Sequence, residues 1–285
     1  MSRVAVNPPV LTPALIARLE WAARQKGATA LDRALNLPGN PLGVTILDMH
    51  GLRGSIVASL PDLPWYNLIS GLNEDKVQHL PALLEEYVRR GIAPSISLWA
   101  AHLTPIVESA LLELRFKAER HSSTLYTVPD RLEVEPAAGV TVSELSAGEA
   151  VETFDDVLSA GYGFTNPNQR RLLQLENADS SVRRYLGFVD GIPAAAAALT
   201  VHDEIAYLAG AATIPSARGR GAQTALIHRR LNDAAVCSQL VVVTTATDSQ
   251  SQHNLERIGF RTAQIKTVWT SSEHRNRSNA SKLVV

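Results

Sequence analysis

Thr213-Ile-Pro-Ser-Ala-Arg-Gly-Arg-Gly-Ala-Gln-Thr-Ala-Leu-Ile227 joins a β-type run, Ile205 to Thr213, to an apolar helix expected to open at Ala222. A strand that ends in glycines at a helix N-terminus presents main-chain N–H groups without intrahelical partners, at the positive end of the helix dipole. Such a cradle holds phosphate without needing any particular side chain. Arg218 and Arg220 add charge at its rim, and Gly219 and Gly221 let the backbone approach an anion closely. The competing reading is a plain glycine-rich turn between strand and helix, because such a turn alone is a weak signal.

Working outward, the chain of 285 residues is long enough for one large domain or two of ordinary size. An apolar fraction of 45%, a charged fraction of 19% and a net charge of −1 describe a globular chain rather than a dedicated nucleic-acid binder. The basic run His228-Arg229-Arg230 reads as a solvated helix face. The single Cys237 excludes an internal disulfide and a cysteine-based zinc site, no metal is expected, and the thiol reads as a small core residue. Neither a signal-peptide core nor an apolar run of membrane-spanning length is visible, so the expected location is cytoplasmic with no membrane partner.

Pro and Gly interrupt the chain near Val134-Glu-Pro-Ala-Ala-Gly139, between two regular regions. In the second region Val140 to Leu145 reads as a strand. Ser146 with Glu149 reads as the capped start of a helix reaching about Ala160. A short helix near Gln169 to Glu176 follows. Asp190-Gly191 between two apolar runs predicts a hairpin. The first region reads as a leading helix over Leu11 to Leu35, three strands between Val44 and Ser70, and a helix over Val77 to Arg90. A strand over Ile96 to Ala100, a helix from Thr104 to about Glu119 and a last strand over Ser123 to Val128 complete it.

The quoted stretch resembles the acyl-CoA loop of the GNAT (Gcn5-related N-acetyltransferase) superfamily, Arg/Gln-x-x-Gly-x-Gly/Ala after Val-x-Pro. Arg218 and Gly221 fill the first and fourth places, Thr213 and Pro215 stand for the Val and Pro, and Gln223 stands where the family prefers Gly or Ala. Gly259-Phe260 before a last strand is a further family habit. The resemblance covers roughly residues 138–270. It implies an α/β (α+β) acyl-CoA N-acyltransferase fold, a mixed central sheet with flanking helices. Residues 138–270 are expected to form a catalytic domain, 271–285 a polar tail, and 1–134 a degenerate second copy in tandem. In that copy Gly71-Leu-Asn-Glu-Asp75 replaces the loop, and its two acids would repel a pyrophosphate.

What the resemblance implies chemically is transfer of an acetyl or other acyl group from acyl-CoA to an amine by direct attack in a ternary complex. Acetyl-CoA is the implied co-substrate and a small-molecule amine the implied acceptor. The main chain of Ala211, Ala212 and Thr213 is expected to receive the thioester and pantetheine, and the amides of Arg218, Gly219, Arg220, Gly221, Ala222 and Gln223 the pyrophosphate, with Asn254 on the pantetheine arm. The family's Tyr, four residues before Gly-Phe, is Leu255 here, which cannot donate a proton. His253 and Tyr207 are the candidates left for that role, and Glu204 is the candidate base. Tyr162 and Phe164, flanked by glycines, are expected to contact the acceptor as part of a lid. Two alternatives stay open: a carrier-protein or aminoacyl-tRNA donor, and a CoA-binding module without catalysis.

Overall fold

The protein is described by a computed structural model over residues 8–131, 134–146 and 151–271. Helix α1 (Pro13–Leu35) leads to β1 (Val44–Met49), β2 (Leu52–Val57), β3 (Leu68–Ser70), α2 (Leu80–Arg89), β4 (Ser95–Trp99), α3 (Pro105–Glu113) and β5 (Lys117–Thr127). The order continues β6 (Val140–Glu144), α4 (Val151–Tyr162), α5 (Pro167–Asn177), β7 (Arg183–Val189), β8 (Ile192–His202), β9 (Ile205–Tyr207) and β10 (Ala211–Thr213). Helix α6 (Ala222–Cys237), β11 (Leu240–Ala246), α7 (Gln250–Arg257) and β12 (Arg261–Thr270) end it. None of the described helices is long and apolar enough to cross a membrane.

Two compact units result, Met1–Leu31 with Thr124–Ala263 and Asp32–Ser123 with Gln264–Val285. Their division differs from the boundary expected near residues 134–138. Most of α1 packs with the C-terminal half, and most of β12 joins the N-terminal half. In the first unit Leu15, Leu19 and Ala22 of α1 share a core with Ile205, Leu240 and Val242. In the other, β12 pairs antiparallel with β4, from Lys266 opposite Trp99 to Thr270 opposite Ser95, and Trp269 enters the core. The expected tail at 271–285 lies outside the described residues beyond Ser271, as does Glu149 of the expected helix cap.

The second unit carries β1, β2, β3, β4 and β12 in that order. Helix α3 stops at Glu113, earlier than the expected Glu119, because Arg115 turns the chain at φ 61 and β5 begins at Lys117.

In the first unit the order is β11-β9-β8-β7-β6, with β10 also on β8. The Asp190-Gly191 hairpin forms as expected, with φ of 52 and 78, the left-handed pair that a two-residue turn requires. The alanine run of β8 alternates between two cores. Ala195, Ala197 and Leu199 face the core that includes Leu226 of α6, while Ala196 and Ala198 face the one containing Phe154 and Leu158 of α4. A strand covered on both faces reads as continuously apolar, and alanine lets both helices come close.

Candidate functional site

The strand expected over Ile205 to Thr213 is broken. Strand β9 pairs in parallel with β11 from Ile205 opposite Leu240 to Tyr207 opposite Val242, and Leu208 N–H adds one more bond to the Val242 carbonyl at 2.9 Å. The chain then bulges through Leu208–Gly210. Strand β10 resumes on β8 alone, Ala211 opposite Ala197 and Thr213 opposite Ala195, while β11 continues to Ala246. The sheet therefore splits beside β10. Burial of Arg230 (2% exposed) supports the bulge: its Nη1 donates to the carbonyls of Ala198 at 3.0 Å and Ala209 at 3.4 Å, and its Nε to Leu226 at 3.0 Å. The expectation of a solvated face at 228–230 is corrected here. Arg230 is core, and Arg229 pairs with Glu144 and Asp233.

Beyond β10, a single turn over Pro215–Ala217 leads to Arg218 and the cradle. Gly219 has φ 77 and Gly221, the residue before α6, φ 87, both in the left-handed region open to glycine. No side chain caps α6, and among the described residues none of the main-chain N–H groups of 219–224 has a turn, loop or cap acceptor. Arg218 braces the mouth, donating from Nε to the Thr213 carbonyl at 3.3 Å and from Nη2 to the Gly161 carbonyl at 3.1 Å. Arg220 pairs with Asp190 at 2.8 Å. On the other side Gln223 donates to Ser251 Oγ at 3.2 Å and accepts from Asn254 Nδ2 at 3.4 Å.

These groups enclose a cavity of about 480 Å³, lined by the cradle, by Ala211–Thr213, by Gly161 and Tyr162 of α4, and by Gln250 and Asn254 of α7. The structure thus brings together nine of the ten residues expected around the pyrophosphate and pantetheine; the tenth, Arg220, does not line the cavity and pairs with Asp190 instead. Helix α4 approaches β10 so closely that a Cβ on Gly161 would lie 2.6 Å from Ala212 Cβ.

Tyr162 and Phe164 stack with centroids 5.1 Å apart. They stand at a helix end rather than on a loop. Gly163 N–H donates to the Ala160 carbonyl and Phe164 N–H to the Ser159 carbonyl, the paired bonds of a Schellman stop with Gly163 at φ 73. The Tyr162 ring is partly exposed, and its hydroxyl points inward to the bulge. Burial first, then the charge of Glu176, push the phenol above its ordinary range.

The other expected residues scatter. The turn residue Glu204 (φ 60) accepts from Gln239 Nε2 at 2.8 Å, so the strand-parity argument that aimed it at the cleft does not apply. His253 is exposed on α7 and does not line the cavity. Tyr207 is near the bulge, and burial raises its pKa to about 12. Leu255 is 1% exposed in the core, and Cys237 is exposed, not a core residue as expected.

Behind Tyr162 lies a cluster that sequence reasoning missed. Lys26 of α1 is 3% exposed, and its Nζ donates to Glu176 Oε1 of α5 at 2.8 Å. Both Lys26 Nζ and Tyr162 Oη lie 3.8 Å from the point a Gly210 Cβ would occupy. No local signal marks a lysine 150 positions from its glutamate as a partner. Asp155 of α4 is buried nearby, its Oδ1 without a partner among the described residues. Burial lifts its carboxyl to about 6, against the opposing charge of Arg184 and with a further push from Asp156. Since the unfolded value is about 3.9, the folded chain binds this proton more tightly; its contribution is full below about pH 4 and fades as pH rises toward 6. Asp155→Asn should flatten that slope in melting temperatures taken between pH 3.5 and 7; an unchanged slope would refute the assignment.

The GNAT-related model of the FR47-like protein family matches residues 185–270, from β7 through the bulge and cradle to β12. A GCN5-related N-acetyltransferase from Kribbella flavida superposes over 88% of this chain and 95% of its own, with TM-score 0.61 and 18% identity. The chain has the GNAT fold. A GCN5-related N-acetyltransferase from Sphaerobacter thermophilus shares it over 93% and 94% of the two chains, with TM-score 0.60 and 13% identity. A tandem GNAT protein from the clavulanic acid biosynthesis pathway shares it over 77% and 78%, with TM-score 0.55 and 14% identity. No curated protein matches the sequence. Within the GNAT fold, the split beside β10 and the cradle before α6 are two ends of one cavity. Among the described residues, no group of His, Cys, Asp or Glu is arranged to hold a metal ion.

Proposed function

We propose that this chain is an N-acyltransferase that moves an acetyl or other acyl group from acyl-CoA to an amine acceptor, most simply a small molecule. One observation carries the reading. Among the described residues the main-chain amides of 219–224 have no turn, loop or cap acceptor, and Gly219 and Gly221–Thr224 line a cavity of about 480 Å³ that runs to the split beside β10. A diphosphate satisfies main-chain donors at a helix N-terminus, and a narrow slot between diverging strands suits a pantetheine chain. The thioester would then lie beside Ala211, whose main-chain amide would donate to its carbonyl oxygen. Acyl-CoA supplies the activated acyl group; this chain's residues bind and orient it and exclude water. In the second unit, Lys76 Nζ bonds the carbonyls of Gly51 and Gly71 at 3.1 Å, and Glu74 and Asp75 open the next turn. We assign the donor to the first unit for that reason.

Calorimetric titration with acetyl-CoA should show saturable binding with Kd on the order of 1–100 µM. Amide resonances of 219–223 should shift in parallel. Absence of both heat and shifts would remove the reading.

A further inference from the structure

Side-chain amides form a connected row along one wall of the cavity that runs from the cradle to β10. Gln250 Nε2 donates to Asn254 Oδ1 at 2.9 Å, Asn254 Nδ2 to Gln223 Oε1 at 3.4 Å, and Gln223 Nε2 to Ser251 Oγ at 3.2 Å. Gln223, Gln250 and Asn254 all line the cavity. We propose that Gln223 is a positioning residue of the donor site: by tying α6 to α7 it holds Asn254 where the wall's amides meet the amide-bearing arm of the donor. The inference rests on the acyl-transfer reading above.

Gln223 stands in the first turn of α6, directly after the cradle, while Asn254 is on α7, 31 positions further along the chain. Their bond therefore links the helix that would hold the diphosphate to the helix that forms another wall of the same cavity. Gly or Ala at 223, as in the loop pattern this stretch resembles, has no side chain to span that gap. Asn254 would then keep only Gln250, an exposed neighbour on its own helix.

Helix α7 is itself fixed at its start. Ser249 Oγ accepts from Gln252 N–H at 3.2 Å, Gln252 Oε1 accepts from Asp248 N–H at 3.0 Å, and the Ser249 and Thr245 hydroxyl oxygens are 3.1 Å apart. Amides bonded in a row on such a helix are oriented before a ligand arrives, which lowers the ordering cost of binding.

The row also has capacity to spare. A primary amide has two N–H donors and two acceptor lone pairs. Within the row Asn254 and Gln223 each use one donor and one lone pair, which leaves each with one of both. The secondary amides of a pantetheine arm, each with an N–H and a carbonyl, match a wall that both donates and accepts. An apolar arm would leave those groups unpaired.

The test uses the full chain, calorimetry with acetyl-CoA, and displacement of acetyl-CoA by ADP, which has the diphosphate and lacks the arm. Gln223→Leu keeps a similar volume and removes both polar atoms. It should weaken acetyl-CoA at least about fivefold while ADP stays within about twofold. In an Asn254→Ala background the same change should cost under about twofold, because Gln223 acts through Asn254. Gln223→Ala reads the same contrasts should the leucine variant not fold. A smaller loss, an equal loss for ADP, or the full cost retained in the Asn254→Ala background would each overturn the inference and leave the acyl-CoA reading standing. Wild-type protein that binds neither acetyl-CoA nor ADP would instead overturn both.

Discussion

Gly221→Val is expected to weaken acetyl-CoA binding at least about 100-fold, while Gly219→Ala weakens it only several-fold. Both glycines have left-handed backbones, at φ 87 and 77, so backbone strain alone does not separate them. Their surroundings do. A Cβ on Gly221 would lie 3.0 Å from the Ala137 Cβ, and valine adds branched methyls at a position where β-branched residues are true outliers. A Cβ on Gly219 meets nothing within 4 Å. Valine at 221 must therefore rotate the peptides on both sides, which turns the amides at the start of α6 away from a common point. Alanine at 219 bears only the left-handed penalty of about 1–2 kcal/mol. Titration of both variants with acetyl-CoA, with circular dichroism to confirm folding, reads the contrast. Wild-type affinity in a folded Gly221→Val protein would disprove the cradle as the anion site.

Arg230→Met should destabilise the first unit by about 3–5 kcal/mol, lowering its melting temperature by roughly 10 °C. Burial lowers the guanidinium's pKa to about 10, which leaves it charged at neutral pH. Its hydrogen bonds are to carbonyls at Leu226, Ala198 and Ala209. Methionine fills a similar volume and leaves the strand carbonyls without this donor. The Ala209 carbonyl still accepts from Ala198 N–H, which it shares with the Gly210 carbonyl, so the bulge should loosen rather than unfold. Because α6 also carries the cradle, acetyl-CoA affinity should fall with stability. Thermal and urea unfolding of Arg230→Met and Arg230→Lys test this, lysine losing less because it keeps a donor. A variant as stable as wild type would show that apolar packing serves the bulge equally well.

Local chemistry explains what could be read early. Proline, alternating glycines and an apolar run at helical spacing act over a few residues, so the strand, turn and helix around 213–227 were legible. Asp190-Gly191 was legible for the same reason, since few other pairs accept two left-handed residues in succession. The bulge at Leu208–Gly210 was not, because those residues are as apolar as the strand they interrupt. The force that breaks it comes from Arg230, across the sheet. Glu204 misled for the complementary reason: parity along a strand predicts a face only while the strand continues, and Glu204 lies in the turn before it.

By itself, the order of residues determined that a glycine turn would stand at the start of α6 and that Asp190-Gly191 would join two strands in a hairpin. Those outcomes follow from backbone dihedral limits and from side-chain size, which neighbours in sequence carry. Tertiary structure alone decided which charged groups meet at the bulge. Lys26, Asp155, Glu176 and Arg230 lie on four different helices, and only packing on a common sheet brings their charges together. It also decided that the final strand would complete the N-terminal half, because the edge of β4 has main-chain groups to satisfy and β12 lies in register beside it.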